Sequence, residues 1–143
     1  MLRGGALCDR RGWRNHDAAA SPGHDSGIIP YSPLAGGILT GKYKEGEAPP
    51  PDTRAGRNQR MQPQLNSDTL GKVSALRKWA EERDHTVGEL ALSWLLSRPE
   101  VSTIIAGAPA VSQVEANVAA VAWRLTGAEL AQIDALLGPD QRR

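Results

Sequence analysis

The feature that most limits the fold is a stretch at residues 27–43, which reads GIIPYSPLAGGILTGKY. Apolar runs bounded by glycine and proline are typical of buried parallel strands, and ligands in α/β folds bind where such strands end. Gly36 and Gly37 let the backbone approach a ligand closely, while Ser32 offers a hydroxyl and Lys42 a positive charge for phosphate. The stretch therefore predicts a strand-end loop that holds a phosphorylated small molecule, with an ordinary strand and turn as the alternative.

The order of periodic segments downstream predicts the α/β class. Apolar residues recur at threes and fours over residues 67–84, which favours an amphipathic helix. A nearly all-apolar segment at 86–97 predicts a helix that is buried on more than one side. Residues 101–106 are β-branched and apolar and predict a second strand, and two further helices are expected at 112–122 and 126–137.

Several helix starts are marked by capping boxes, in which Ser or Thr precedes Glu by three residues. The pairs are Thr86 with Glu89, Ser112 with Glu115, and Thr126 with Glu129. His85 falls in the turn between two of the expected helices, and we expect it to be solvated.

The flanking and connecting segments lack helical or strand periodicity. Residues 1–26 contain scattered arginines and glycines, and we expect a disordered or non-native leader from a truncated or frame-shifted reading frame, with an arginine-rich transit peptide as the alternative. Residues 44–66 include three successive prolines and are expected to be a loop. This loop carries Arg54, Arg57 and Arg60, and the latter two are expected to be solvated.

Composition excludes several classes of protein. The 143-residue chain has a net charge of +1 and a pI near 8.0, so it has no strong electrostatic case for nucleic acid or membrane partners. The single cysteine, Cys8, rules out an internal disulfide and fits either a reducing compartment or no redox preference at all; the expected location is cytoplasmic. No apolar run approaches 18 residues, the length of a transmembrane helix, and no spacing of metal ligands or hydrolytic triads appears.

Taken together, the motifs resemble the aldo-keto reductase family. The resemblance rests on YSPLAGGILTGKY, then ELALSWLL, TIIAG, QVEAN, WRLT and EL, in that order from about Gly27 to the C-terminus. It implies a (β/α)8 TIM barrel, of which this region supplies only the last two parallel strands and their helices. A full barrel needs about 250 residues, so we expect a partial barrel at 27–143, truncated on its N-terminal side.

The resemblance also implies a set of residues that bind NADP. Tyr31 would stack on the nicotinamide, although a strand-end tyrosine packed in the core is the alternative. For Gln113 and Asn117, which share one helix face, the alternative is a solvated surface. The implied contacts are Ser32, Leu34 and Gly36 to the diphosphate, Lys42 and Arg54 to phosphates, Gly107 at the second strand end, and Gln113 and Asn117 to the adenosine.

Three positions depart from the family pattern. The family usually has Glu where this chain has Ala116, and it often has a cation beside a hydroxyl where this chain has Pro109 and Ala110. Cations and hydroxyls grip the 2′-phosphate of NADP. The departures leave NAD open as the cofactor.

The catalytic Tyr, Lys, Asp and His of the family belong to earlier strands, and no residue here matches them. We therefore expect no catalytic residues, and activity that requires a missing N-terminal half or another chain. A non-catalytic nucleotide-binding or regulatory module and a non-functional truncated product are the alternatives. Because two strands leave open sheet edges, we also expect the isolated chain to be loosely packed or self-associating, with helix 86–97 partly uncovered.

Overall fold

The computed structural model describes residues 29–30, 32–99 and 101–138, so the predicted leader at 1–26 lies outside the described residues. Eight helical elements follow one another in this part of the chain, five α-helices and three 3-10 helices. In chain order they are the 3-10 helix Ala35–Thr40, α1 (Arg54–Arg57), the 3-10 helix Gln59–Gln64, α2 (Ser67–Glu81), α3 (Val87–Leu96), α4 (Val111–Ala119), the 3-10 helix Ala120–Ala122, and α5 (Gly127–Leu137).

Two of the three predicted capping boxes are confirmed. Thr86 accepts a hydrogen bond from the Glu89 backbone N–H at 3.1 Å, and its own N–H donates to the Glu89 carboxylate at 2.7 Å. Thr126 and Glu129 form the same reciprocal pair at the start of α5. The third is wrong: α4 starts earlier, with Ala110 at its N-cap and no side-chain hydrogen bond there, so the Ser112 hydroxyl lies inside the first turn.

The predicted second strand does not form a ladder. Within the described residues there is no β-strand, and Val101 makes only an isolated β-bridge while 102–108 have no regular hydrogen bonding. The β propensity of residues 101–106 is real, but a strand needs a neighbour to accept its hydrogen bonds. Residues 29–30 of the first predicted strand are also irregular, and Ile28 and Tyr31 lie outside the described residues.

Helix α3 is the centre of the fold. It packs against α2, α4 and the 3-10 helices Ala35–Thr40 and Ala120–Ala122, and seven of its ten residues are buried. The prediction that this apolar helix is buried on more than one side is confirmed. The expectation that it would be partly uncovered is wrong, because Leu90, Trp94 and Leu95 are at most 2% exposed.

The two remaining long helices differ in how they are packed. One face of α2 joins the core through residues at helical spacing, and α5 packs on α2 and contributes Ile133 and Leu137. In contrast, α4 has no buried residue. Its valines at positions 111, 114 and 118 are 48–75% exposed although they repeat at threes and fours, so an apolar helix face is left in solvent. Val121 of the following 3-10 helix continues this spacing and is 46% exposed.

The segment predicted to be a loop, residues 44–66, is mostly irregular but contains two short helical pieces. Thr53 begins α1 by accepting a hydrogen bond from Gly56 N–H at 3.2 Å, and Asn58 begins the 3-10 helix Gln59–Gln64 in the same way with Arg60. Arg57 and Arg60 are exposed, as predicted.

Candidate functional site

The glycine-rich segment predicted to be a ligand loop forms a left-handed turn. Four of the six residues at 32–37 have positive φ angles, with Ser32 at 54°, Ala35 at 50°, Gly36 at 65° and Gly37 at 100°. Left-handed backbone at residues other than glycine is costly and clusters at functional sites.

Lys42 lies beside the second glycine of this turn. A Cβ placed on Gly37 would lie 3.0 Å from both Cε and Nζ of Lys42, and the φ angle of 100° at Gly37 is one that other residues rarely adopt. The ammonium group is exposed and lies 5.5 Å from the ring centroid of Tyr43. The positive charge of Lys42 thus lies next to the Gly37 backbone, since glycine has no side chain to intervene.

Arg54 lies beside the first glycine. Its Cδ would be 3.7 Å from a Cβ on Gly36, and Met61 packs against the same backbone, with Cε at 3.0 Å. A lysine and an arginine therefore both lie next to the turn. Because the two cations come from different segments of the chain, their approach to the same turn is a property of the fold.

The position of Arg54 depends on two contacts that sequence reasoning missed. The buried Tyr43 hydroxyl accepts a hydrogen bond from the Ala55 backbone N–H at 3.3 Å. A Cβ on Gly56 would lie 2.2 Å from the carbonyl oxygen of Pro50, so the two chain segments touch through backbone alone. The Lys42–Tyr43 dipeptide and the glycine between Ala55 and Arg57 were visible in the sequence, but neither of them predicts which distant residue it contacts.

The remaining predicted contacts of the first loop are partly described. Ser32 is half-buried, and its carbonyl oxygen accepts a hydrogen bond from Ala35 N–H at 2.8 Å. Leu34 packs against the core, and its carbonyl accepts from Gly37 N–H at 2.9 Å. Tyr31 lies outside the described residues, so its predicted role as the ring beneath a nicotinamide stays a prediction.

The second group of predicted residues lies on and before α4. Gly107 is exposed with open space around it, Gln113 is exposed, and Asn117 is partly exposed on the same helix. The side chains of Gln113 and Asn117 make no hydrogen bond with any residue that the structure describes. The three departures from the family pattern, Pro109, Ala110 and Ala116, are likewise exposed, so these positions supply no cation at the start of α4.

The structure therefore brings together predicted residues near the first loop but does not bring Gln113 and Asn117 into contact with them. Gly36, Lys42 and Arg54 meet at the glycine turn. Both the turn and α4 pack against α3, which places the two groups on a common support without contact between their predicted ligand-binding side chains. Their convergence on one ligand stays a prediction.

A further cluster, between α2, α3 and α5, was not predicted. The His85 ring stacks on Trp123 with centroids 3.8 Å apart, and Trp123 in turn lies 6.0 Å from Trp79. The Arg83 guanidinium covers the other end of this stack, 3.8 Å from the Trp79 centroid. His85, which we expected to be solvated, has one ring face covered by Trp123 while its side chain stays 32% exposed. Trp123 follows it by 38 positions, so the contact has no local signal in the sequence.

The two capping carboxylates have perturbed acidity. Partial burial pushes the pKa of Glu89 up, but hydrogen bonds from the Thr86 N–H and hydroxyl, with nearby His85, together hold the pKa below its ordinary value. The pKa of Glu129 is lowered by hydrogen bonds from the Thr126 N–H and hydroxyl, helped by Arg83. Both shifts are explained by helix capping, so they do not mark an acid or base of a reaction.

Residues 29–30, 32–99 and 101–138 contain neither a cluster of metal-binding side chains nor a helix that could span a membrane. No group of three or more His, Cys, Asp or Glu side chains is arranged to hold a metal ion there. No helix in the same part of the chain has the length and apolar character needed to cross a bilayer.

Comparison with known proteins gives one consistent result. The model of the aldo/keto reductase family matches residues 17–137, starting upstream of Gly27. A probable voltage-gated potassium channel subunit beta of Arabidopsis thaliana is 41% identical over 68% of this chain and 30% of its own length. L-glyceraldehyde 3-phosphate reductase of Escherichia coli O157:H7 is 36% identical over 76% of this chain and 32% of its own length.

Comparison with solved structures also points to the aldo-keto reductases. A glycerol dehydrogenase from Gluconobacter oxydans superimposes with a TM-score of 0.74 and 26% identity, over 92% of this chain and 40% of that one. The chain thus has an α/β aldo-keto reductase neighbour over nearly all of its length, although it spans only about a third of the curated relatives.

Proposed function

This chain belongs to the aldo/keto reductase family, and we propose that it forms the C-terminal cofactor-binding part of an NAD(P)H-dependent carbonyl or alcohol oxidoreductase. The observation that carries the proposal is the left-handed turn at Gly36 and Gly37 with both Lys42 and Arg54 next to it. In this proposal residues 27–143 are a partial (β/α)8 barrel, consistent with the solved relative that extends well beyond the matched region.

The residues at the turn fit a dinucleotide diphosphate. Two cations from separate segments can bind the two phosphates, and the backbone beside them has no Cβ at Gly36 or Gly37 to obstruct them. The half-buried Ser32 brings a hydroxyl to the same loop. When bound, the nicotinamide supplies hydride chemistry to a carbonyl or alcohol; these residues hold and orient the cofactor.

The rest of the cofactor is assigned by family resemblance. Tyr31 would support the nicotinamide, and Gln113 and Asn117 on α4 would bind the adenosine end, with Gly107 opening the loop before that helix. NADP is the proposed cofactor. NAD is the alternative, since Pro109, Ala110 and Ala116 provide neither cation nor carboxylate near the start of α4.

We propose that these 143 residues do not turn over substrate by themselves. Protonation of a developing alkoxide needs an acid held beside it, and Tyr43 is not available because it is buried and bonded to Ala55. Turnover would need the family's Tyr, Lys, Asp and His groups from another stretch of polypeptide or a partner chain. The cytoplasmic location is also a proposal.

A non-catalytic regulatory module is the second candidate. The observation in its favour is the 41% identity to the probable potassium channel subunit beta. That module would bind the nucleotide through the same turn and would use it as a signal. A third reading, a truncated product without function, predicts that no nucleotide binds at all.

Fluorescence titration of the full chain with NADPH and NADH tests the proposal. We expect saturable binding that weakens about tenfold in Lys42→Gln and in Arg54→Gln, since a charge-assisted hydrogen bond contributes about 1.5–3 kcal/mol. Arg124→Gln is the matched control, because Arg124 is exposed and distant in sequence from the turn. Absence of binding by a folded chain, or equal affinity in all three variants, would refute the site.

Carbonyl-dependent oxidation of NADPH separates the two candidate functions and the third reading. Binding without oxidation supports a cofactor-binding part or a regulatory module. Addition of a polypeptide that contains the N-terminal region of a relative then distinguishes these two, because only the first predicts that oxidation appears. Oxidation by this chain alone would contradict the assignment of no catalytic residues.

A further inference from the structure

A cleft of about 410 Å³ lies between the segment after Gly41 and one face of α2. Its volume is within the range of small-molecule sites, about 300–1,000 Å³. Gly36, Lys42 and Arg54 do not line it, so the cleft is separate from the glycine turn. Nothing in the function proposed above uses this space.

The inner part of the cleft is apolar and open. Leu70, Val73 and the ring of Tyr43 form its walls, and all three belong to the buried core. A Cβ placed on Gly71 would meet no atom within 4 Å. Gly71 is exposed on α2, so a short apolar body can lie against this part of the cleft without any movement of the helix.

The rim of the cleft is predominantly positive. Lys44, Arg77 and Lys78 line it together with one carboxylate, Glu45. Lys44 lies 3.7 Å from Glu47, and Arg77 lies 3.6 Å from Glu81. All four of these side chains are about half exposed or more, and exposed pairs of this kind contribute little, so an incoming anion can replace the carboxylates.

Two polar groups of the lining are available to a ligand. Lys78 makes no ion pair with any described residue, and the Ser74 hydroxyl forms no hydrogen bond within the same set. Both are on the wall contributed by α2. A cation and a hydroxyl beside an apolar space are the donors that a carboxylate or phosphate group requires.

We propose that this cleft binds a small organic anion, consisting of a carboxylate or phosphate headgroup on a short apolar body. The apolar body occupies the space above Gly71 between Leu70 and Val73. The headgroup lies at the rim against Arg77 and Lys78. The bound ligand also contacts the Tyr43 ring, whose neighbour Lys42 belongs to the glycine turn.

Titration of the ¹⁵N-labelled full chain, followed by amide chemical shifts, tests the proposal with four probes: hexanoate, hexyl phosphate, 1-hexanol and inorganic phosphate. We expect saturable shifts at residues 41–45 and 70–78 with at least one of the two amphipathic anions, at least tenfold tighter than with hexanol or inorganic phosphate. The better of the two anions identifies the headgroup. Equal affinity for hexanol, equal affinity for inorganic phosphate, or shifts outside these residues would overturn the proposal.

Two variants test the two halves of the ligand separately. Gly71→Leu fills the space, and its matched control is Gly127→Leu, where a Cβ also meets no atom but the position is at the start of α5. The double variant Arg77→Gln/Lys78→Gln removes the rim charges and is compared with Arg124→Gln. We expect a loss of at least tenfold in each test variant and less than twofold in each control, with circular dichroism to confirm folding.

This outcome is independent of the nucleotide site. If Gly71→Leu fails to fold, the charge variant alone decides, and unchanged affinity in a folded charge variant refutes the site. NADPH binding in Gly71→Leu should match that of the unsubstituted chain. Loss of the anion with retention of NADPH therefore supports the cleft, whatever the outcome at the glycine turn.

Discussion

The imidazole of His85 lies flat on the indole of Trp123, with ring centroids 3.8 Å apart and planes inclined by 9°. His85 ends the connection from α2 to α3, and Trp123 lies just before α5, so this contact joins the middle of the chain to its C-terminal part. Trp79 continues the stack, and Gln132 of α5 accepts hydrogen bonds from the Trp79 indole N–H at 3.0 Å and from Arg83 at 3.2 Å. The hydrogen bonds of Gln132 therefore fasten α5 to α2 beside the aromatic stack.

Replacement of His85 by Ala should lower stability by about 1 kcal/mol, since a stacked aromatic pair contributes about 0.5–1.5 kcal/mol beyond its buried area. For a chain of this length the melting temperature should fall by a few degrees. His85→Phe is the matched variant: it keeps a flat ring on Trp123 but loses the 3.7 Å contact with Glu89. Thermal melts should rank Phe close to His and well above Ala. Equal melting temperatures for all three would contradict a structural role for the stack.

The same stack shows what can be predicted from sequence. The four long helices and two capping boxes were predictable because helical periodicity and caps are local properties, each contained within a few residues. Contacts such as His85 with Trp123, or Tyr43 with Ala55, were not, because they depend on how distant segments meet.

In the candidate site, too, residues within one motif were predictable from the sequence, whereas contacts between distant segments were not. Gly36 and Lys42 were identified from one contiguous motif. The closeness of Arg54 to them was proposed only from family resemblance and is now supported by geometry. The strand at 101–106 was predicted from its β-branched composition, but a strand also needs a neighbour to pair with.

A second prediction concerns acid. The pKa values of Glu89 and Glu129 are both lowered in the folded chain. Their contribution to stability is therefore complete above the unfolded pKa and is lost as the pH falls through the ordinary glutamate range, about pH 4, toward the lower folded values. Urea denaturation at about pH 6 and about pH 3 should show this loss.

Glu89→Gln/Glu129→Gln is the matched double variant, because Gln completes a capping box but does not titrate. Its stability should fall less with acid than that of the unsubstituted chain. Glu115→Gln, on the exposed face of α4, is the control and should leave the acid dependence unchanged. If the double variant loses as much stability as the unsubstituted chain, the two caps do not account for the acid sensitivity.

A third prediction separates the position of Arg54 from its charge. Gly56→Ala keeps the arginine but introduces a Cβ that would lie 2.2 Å from the Pro50 carbonyl oxygen and 2.8 Å from Pro51 Cα. Since both contacts are with backbone, α1 must shift and take Arg54 with it. We expect NADPH affinity to fall several-fold, together with a loss of stability of about 1–3 kcal/mol from overpacking. Gly127→Ala meets no atom and should change neither quantity.

The last prediction concerns the exposed valines of α4. Val111, Val114 and Val118 are 75%, 48% and 66% exposed on a helix without a single buried residue. An apolar face of this kind favours association in water, so sedimentation of the full chain should show mass that rises with concentration.

Val118→Lys should shift that equilibrium toward the monomer, because a lysine placed in an apolar contact must lose its hydration when the contact forms. Ala131→Lys on the exposed side of α5 adds the same charge elsewhere and should weaken association clearly less than Val118→Lys does. This control matters because added net charge alone reduces association. Equal effects of both substitutions would attribute the change to charge, whereas a monomer at every concentration in the unsubstituted chain would show that the valine face does not drive self-association.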